Sequence, residues 1–265
     1  SILTLSAANT YSGGTSVVAG TVKIGNASAL GSAAVTVGAN ANSLGTIDLN
    51  GQNIANNLTI NGGSTTGAIT NTSTTAATAS GTVTLASASS IDGANAITLS
   101  GVVTSNGNGL AFVGSGTYTL NNAANTLSTI ATSTTPVAGL SITNSTELTI
   151  GSVVVNAVTY SGLRVAGDLA IFAPLRIGAN ITTGGTQTYG GVVTLIADVT
   201  LATYTAGTGT TQANKAIAFN STVNGGYALT LTNGTGASNF KASVGATAPL
   251  ASLTTATGLT SLYGD

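Results

Sequence analysis

The sequence contains no cysteine, histidine, methionine or tryptophan and only three prolines in 265 residues. Without cysteine there is no disulfide and no thiol nucleophile, and without histidine the side chain that most often serves as a general base is missing. Metal sites built from cysteine and histidine are excluded for the same reason. We therefore expect no metal site and no cofactor.

Charged residues are also scarce. Five Lys or Arg and six Asp or Glu make up 4% of the chain, against roughly 25% in an average globular domain. Binding to nucleic acid is excluded, because phosphate neutralisation needs clustered basic side chains. Apolar residues never run together for the ~20 positions that a membrane-spanning helix needs, so we expect no transmembrane segment. The chain starts at Ser1 with no recognisable signal peptide, and we interpret it as a piece of a longer protein.

Small polar residues and glycine dominate what is present. Thr, Ser, Asn and Gly account for 136 of the 265 residues. Val, Ile, Leu and Phe supply another 64, roughly 24% of the chain, which is above the ~20% below which chains tend to stay disordered. The sequence therefore predicts a folded chain with a hydrophobic core.

The apolar residues recur at every second position, most often as an apolar–Thr–apolar triplet. This alternation predicts short strands with one buried face and a central Thr that points to water. The triplets occupy residues 3–5, 35–37, 58–60, 83–85, 97–99, 148–150, 193–195, 199–201 and 229–231. Between them lie Asn-Gly pairs that begin at positions 50, 61, 106, 108, 224 and 233, and Asn and Gly accept the positive φ of tight turns.

The spacing of these strands favours a β-solenoid. Strand starts at residues 35, 58 and 83 are separated by 23 and 25 residues, which is typical of one coil of a stacked solenoid. We predict an all-β fold, a parallel β-helix of about 20–25 residues per coil, with ~12 coils and a length of ~58 Å at ~4.8 Å per coil. An antiparallel sandwich is the alternative, because Asn-Gly also marks hairpins; the scarcity of large side chains argues for the narrower solenoid.

The N-terminal segment resembles a known repeat. Residues 3–37 read LTLSAANTYSGGTSVVAGTVKIGNASALGSAAVTV, which is similar to the autotransporter-associated β-strand repeat. Matching residues are Leu3, Leu5, Asn9, Thr10, Tyr11, Gly13, Gly14, Thr15, Val17, Gly20, Thr21, Gly25, Ala29, Leu30, Gly31 and Val35. Residues 186–195 look like repeats of haemagglutinin-type large exoproteins. The resemblance implies a right-handed β-helix outside a bacterium, in a passenger region, adhesin or fibre, and it brings no catalytic residues.

Acidic residues are the first candidates for catalysis, because polysaccharide-cleaving enzymes pair carboxyl groups about 5–9.5 Å apart. The six acids are Asp48, Asp92, Glu147, Asp168, Asp198 and Asp265. Stacking of coils offers one cluster, Asp168 with Asp198 beside Arg164 and Arg176; the alternative is that all six are solvated charges. Serine lacks an activating histidine and no phosphate-binding glycine loop is present. We therefore predict no enzyme and no catalytic, cofactor-binding or metal-binding residues.

Tyrosine and threonine offer two further surfaces. Tyr11, Tyr160 and Tyr189 share a repeated phrase, which favours a structural position beside a tight turn over sugar stacking. Thr-x-Thr pairs lie at 82/84, 117/119, 203/205 and 230/232. A ladder of such pairs could bind ice if they were in register on successive coils, but their separations show no common period.

The leading hypothesis is a single β-solenoid segment over residues 1–265, a structural or adhesive extracellular rod of a bacterial surface or secreted protein. Carbohydrate binding or action on a polysaccharide is the alternative, and ice binding a minor one. An uncapped β-helix leaves strand edges unpaired at both ends. We expect either that further coils cover these edges in the full protein or that subunits associate head-to-tail. The other expected partner is a glycan or protein of a host or bacterial surface.

Overall fold

The structure, a computed structural model, describes residues 1–63, 66–209, 211–256 and 258–263. Short strands joined by tight turns stack as a parallel β-solenoid of about 12 turns. Within these residues the helical content is a single 3₁₀ turn at Thr205–Gly207. The predicted all-β class and solenoid architecture are confirmed, and the antiparallel sandwich is not formed.

The strands are numbered in chain order. The first sixteen are β1 (Ile2–Leu5), β2 (Thr15–Val17), β3 (Gly20–Ile24), β4 (Val35–Val37), β5 (Gly45–Asp48), β6 (Asn53–Ile54), β7 (Leu58–Gly62), β8 (Ile69–Asn71), β9 (Ala77–Ala79), β10 (Val83–Gly93), β11 (Ile97–Leu99), β12 (Val103–Thr104), β13 (Gly109–Gly114), β14 (Thr117–Leu120), β15 (Thr129–Thr132) and β16 (Gly139–Thr143). The others are β17 (Leu148–Ile150), β18 (Ser152–Val155), β19 (Val158–Ser161), β20 (Leu163–Val165), β21 (Leu169–Phe172), β22 (Leu175–Ile177), β23 (Ile181–Thr183), β24 (Gln187–Tyr189), β25 (Val193–Leu195), β26 (Val199–Thr203), β27 (Ile217–Phe219), β28 (Val223–Asn224), β29 (Ala228–Thr232), β30 (Ser238–Phe240), β31 (Ser252–Thr254) and β32 (Thr260–Leu262).

Strands of successive coils pair in parallel, and the predicted triplets stack directly on one another. Val35 pairs with Leu58, and Leu58 pairs with Val83. The strands form one sheet of 15 members, one of ten that runs from β6 to β32, one of five that runs from β20 to β31, and the two-stranded sheet β18–β19. The long strand β10 pairs with β7 near its start and with β8 near its end, after a register shift between Leu85 and Ser89.

Most coils have close to the predicted length. Strand partners on neighbouring coils are mostly 18 to 25 residues apart. Two coils are longer. Leu140 and its partner Leu169 are 29 residues apart because the antiparallel hairpin β18–β19 is inserted between them, and Gln187 and Ile217 are 30 apart because the excursion around the 3₁₀ turn lies between them.

Columns of apolar side chains fill the interior. In strand β4 Val35 and Val37 are buried while Thr36 is half-buried, as the alternation predicts, and the same pattern holds in β11, β17 and β25. One column passes from aliphatic to aromatic residues as Ile171, Tyr189, Phe219 and Phe240. The ring centroids of Phe219 and Phe240 are 4.8 Å apart, within the range of favourable aromatic packing.

Buried asparagines hold neighbouring coils together at the turns. Asn144 accepts the N–H of Leu127 at 2.7 Å and donates to the carbonyls of Leu127 at 3.1 Å and Thr146 at 2.8 Å. Asn71 also bridges coils, because it accepts from Gly51 and donates to Ala96. These amides satisfy backbone groups that the sharp turns leave without a strand partner.

Candidate functional site

Asp48, the most deeply buried of the described acids, supports a turn. Its Oδ1 accepts the N–H groups of Asn50 at 2.9 Å and Thr72 at 3.1 Å, and its Oδ2 accepts the Thr72 hydroxyl at 2.6 Å. The Lys23 ammonium lies 3.8 Å from Oδ2. Since all of these partners belong to the protein, we interpret Asp48 as a structural carboxylate.

Asp168 and Asp198 do not form the proposed cluster. Leu169 pairs with Gln187, so this coil takes 18 residues and the residue above Asp168 is Thr186, whose N–H and hydroxyl it accepts at 2.7 and 2.9 Å. Asp198 lies at another corner, just before β26, and accepts the N–H of Ala228 at 2.8 Å. The cluster that stacking offered is not formed, because the 18-residue coil there does not match the 30-residue separation of the two acids.

The two arginines considered for that cluster lie on different strands. Arg176 lies 3.5 Å from Glu147 on the neighbouring coil, where both side chains are about half exposed. Arg164 lies on β20 and its backbone N–H donates to the Thr132 hydroxyl at 2.7 Å. The exposed ion pair between Arg176 and Glu147 contributes little to stability. The sixth acid, Asp265, lies outside the described residues.

An unforeseen feature, the hairpin β18–β19, lies outside the solenoid wall. It packs over β10, β13 and β15, and its turn at Asn156 and Ala157 has φ of 47° and 62°. Positive φ at both central residues is the type I′ geometry that suits a two-residue hairpin. Val153, Val155 and Tyr160 of the hairpin pack on Ala111 and Ala131 of the wall. They form a second hydrophobic cluster, the outer cluster, which is separate from the interior.

A groove of about 390 Å³ lies between the hairpin and the wall. Its lining residues are Val113, Gly114, Ser133, Thr134, Thr135, Val158, Thr159 and Tyr160. The Asp92 carboxylate lies beside it, so close to Gly114 that a methyl group there would come within 2.1 Å of Oδ1. The groove therefore combines aliphatic walls, several hydroxyls and one neighbouring carboxylate.

Burial controls the ionisation of the groups around Asp92. Burial raises the pKa of Asp92 above its ordinary value. The pKa of Tyr118 and that of Tyr160 are also raised, first by burial and then by the negative charge of Asp92. The Tyr118 hydroxyl donates to the carbonyl of Val113. In the part of the chain that the structure describes, the Tyr160 hydroxyl is buried without a partner.

The three tyrosines of the repeated phrase occupy different environments. The Tyr11 hydroxyl donates to the Ala29 carbonyl at 3.1 Å beside a turn, as predicted. Tyr160 is buried under the hairpin, and Tyr189 lies in the interior, where its hydroxyl donates to Gln187 at 2.8 Å and its ring stacks on Phe219. The exposed tyrosines of the described chain, Tyr11, Tyr227 and Tyr263, lie at opposite ends of the coil order and do not form a line along one face.

Threonine columns are present, but they follow a pattern that the spacing of Thr-x-Thr pairs does not reveal. Threonines at the centres of several triplets stack in register on one another and on threonines of neighbouring strands. One column contains Thr36, Thr59, Thr84 and Thr104, and another contains Thr78, Thr98 and Thr119. Each triplet has a single outward residue, so each column is one threonine wide. The two-column lattice on which ice binding depends is not formed by these triplets.

Two further observations concern metals and membranes. Across residues 1–63, 66–209, 211–256 and 258–263, no group of three or more acidic side chains is close enough together to hold a metal ion. Within the same residues, no helix has the length and apolar character needed to span a membrane.

Comparison with known proteins bears on the N-terminal coil. The family described as passenger-associated-transport-repeat matches residues 1–24, the segment that contains β1, β2 and β3. Comparisons with curated proteins and with solved structures gave no match. The repeat match and the β-solenoid together fit the β-helix of an autotransporter passenger, a surface or secreted protein.

Proposed function

We propose that this segment is a non-enzymatic structural rod that extends a passenger protein away from the bacterial surface and presents it for adhesion or assembly. The observation that supports the proposal most is the parallel stack of about 12 turns. Each turn contacts only its neighbours, so stacking more turns lengthens the rod without requiring new long-range contacts. The hydrogen bonds of the acids are a second support: Asp48, Asp168 and Asp198 all bond to the backbone of the protein itself.

Surface exposure of the parent protein tests the first part of this proposal. Antibodies raised against the folded segment should label intact cells that produce the parent protein as strongly as permeabilised cells. Labelling that requires permeabilisation would contradict a surface role. Small-angle scattering of the purified segment should give a rod of ~58 Å, about 12 coils at ~4.8 Å each; a compact sphere would contradict it independently.

Self-association is the second part of the proposal. The edge strands β1 and β32 each pair on one side, and they expose residues of the interior columns, with Leu3 58% and Leu262 61% exposed. The two edges face opposite directions, so contact between them is head-to-tail and does not close on itself. In the isolated segment a second copy would cover the unpaired backbone groups and apolar side chains of these edges, which further coils would cover in a longer chain.

Matched lysine substitutions test the assembly. We expect the purified segment to form longer particles as its concentration rises, and the double variant Leu3→Lys, Leu262→Lys to remain monomeric in sedimentation and electron microscopy. Leu44→Lys is the control, because Leu44 is also 58% exposed but lies between strands β4 and β5 and not in either edge strand. A wild-type segment that stays monomeric at high concentration, or equal loss of assembly in the control, would refute head-to-tail contact while leaving the rod proposal intact.

A further inference from the structure

The sequence contains six Asn-Gly pairs at predicted turns, and one of them differs from the others in its hydrogen bonding. Asn106 and Gly107 are the exposed central residues of a tight turn between β12 and β13, with φ of 51° and 82°. The turn is closed by the Asn108 N–H, which donates to the Ser105 carbonyl at 2.8 Å. Within the described residues, neither the Asn106 side chain nor the Gly107 N–H has a hydrogen-bond partner.

In the other five pairs the asparagine amide is committed to the fold. Four of the side-chain nitrogens donate to a backbone carbonyl, at 2.9 Å for Asn50, 3.2 Å for Asn61, 3.1 Å for Asn108 and 2.9 Å for Asn233. The fifth, that of Asn224, donates to a hydroxyl at 3.3 Å. Several of the following N–H groups are also committed: Gly51 donates to Asn71, Gly62 to Ser87 and Gly225 to Ala248.

We propose that Asn106–Gly107 is a site of spontaneous backbone rearrangement, at which the asparagine is converted to aspartate and isoaspartate. A solvent base removes the Gly107 amide proton, and the nitrogen attacks Cγ of Asn106. The new N–C bond closes a five-membered succinimide while the C–NH₂ bond breaks, and the amide takes up a proton and leaves as ammonia. Water then opens the ring at either carbonyl. The net change is one water consumed and one ammonia released.

The geometry favours this reaction at Asn106 for two reasons. The free side chain can rotate towards the Gly107 nitrogen without breaking a hydrogen bond, whereas each of the other five asparagines must first give one up. There is also room to move, because a Cβ placed on Gly107 would meet no atom within 4 Å. A turn that can open locally reacts without unfolding of the coil.

The product lies two residues before Asn108, which links three coils. Asn108 donates to the Leu85 carbonyl on one neighbouring coil at 3.1 Å, and its own carbonyl accepts the Ser128 hydroxyl on the other at 2.7 Å. An isoaspartate two residues earlier lengthens the main chain of the turn and adds a negative charge. We therefore expect the modification to loosen β12 and β13 relative to their neighbours.

The test is to incubate the folded segment at mildly alkaline pH in ¹⁸O-labelled water and to map the peptides by mass spectrometry. Pepsin is the suitable protease, because the chain has only five sites for trypsin. We expect ¹⁸O and isoaspartate at position 106 to accumulate at least about tenfold faster than at Asn61 or Asn233, the factor expected from opening one or two hydrogen bonds. Asn106→Gln should abolish this signal, and Asn61→Gln should leave it unchanged.

The denatured segment is the decisive control. Unfolding removes all of the hydrogen bonds, so the six sites should then react at similar rates. If Asn106 reacts no faster than Asn61 in the folded segment, the proposal is wrong. It is equally wrong if the denatured segment shows the same preference for Asn106, because neighbouring residues and not the fold would then set the rate.

Discussion

The interior columns and the outer cluster under the hairpin are both hydrophobic, but they differ in how completely their buried polar atoms find hydrogen-bond partners. The interior runs unbroken through the described coils, from Ile24 in β3 to Phe240 in β30. The outer cluster joins one hairpin to a few small side chains such as Ala111 and Ala131. Two of the three buried polar atoms that lack a partner in the described chain, on Asn156 and Tyr160, belong to this hairpin. The comparison indicates that the interior defines the fold, whereas the hairpin is an addition held less strongly.

Removing an aromatic ring from the interior should have the largest effect. Phe219 is fully buried between Tyr189 and Phe240, so Phe219→Ala should lower the free energy of unfolding in urea by about 3–5 kcal/mol. Phe172→Ala is the matched control, because that ring is 46% exposed, and it should cost roughly half as much or less, in proportion to the area it buries. Equal losses would mean that the interior column is not the dominant contribution.

Removing an inter-coil amide should come next. Asn144→Ala leaves the buried N–H of Leu127 without its acceptor, and an unsatisfied buried group costs about 1–3 kcal/mol. The exposed Asn121, on the preceding coil, is the control: Asn121→Ala should change the free energy of unfolding by no more than about 0.5 kcal/mol. A loss at Asn144 as small as at Asn121 would show that the turn amides are not structural ties.

The hairpin should be weaker than the wall it covers. Val153→Ala removes two methyl groups from a side chain packed on Gly109 and the outer cluster, and should cost about 1–2 kcal/mol. Hydrogen exchange should show β18 and β19 losing protection before β13 and β15, in the wild type and more so in the variant. Simultaneous exchange of hairpin and wall would mean that the hairpin is held as strongly as the strands that it covers.

Removing the hydroxyl of Tyr160 sharpens the same distinction. Tyr160→Phe deletes a buried group that has no partner in the described chain, so the free energy of unfolding should stay unchanged or rise by up to about 1 kcal/mol. Tyr118→Phe is the control, because that hydroxyl donates to the Val113 carbonyl, and it should lower the free energy by about 1 kcal/mol. A substantial loss at Tyr160 would reveal a partner for its hydroxyl.

Sequence predicts the interior well because its information is local. An apolar–Thr–apolar triplet specifies a strand, its buried face and its outward threonine without reference to the rest of the chain, and Val35–Val37 and Leu148–Ile150 are observed in that form. What escaped prediction depends on which coil lies above which. Residues 152–161 read SVVVNAVTYS, which is compatible with a strand pair, but nothing local says that they leave the stack to cover Ala111 and Ala131.

The candidate site was less predictable for the same reason. Whether Asp168 meets Asp198 or Thr186 is decided by a coil of 18 residues, and a change of a few residues in one turn alters every such contact. Tyr160 and Tyr189 share a sequence phrase, yet one lies under the hairpin and the other in the interior. The threonine columns were missed because their members lie on different coils and not two residues apart.

Neutralising Asp92 should have the smallest effect, and its pH dependence identifies its cause. Burial raises the pKa of Asp92 in the folded state, so the folded chain binds a proton more readily than the unfolded chain. Between the ordinary pKa and the raised one, stability falls as pH rises, and above both the charge remains destabilising. Asp92→Asn should therefore stabilise the segment at neutral pH, with a gain that disappears below the ordinary pKa of an aspartate.

Asp198→Asn is the control, since it weakens the bond from the Ala228 N–H and should give no gain at any pH. A stabilisation by Asp92→Asn that persists unchanged into acid would mean that the amide forms new hydrogen bonds, and that the buried charge is not what limits this side of the hairpin.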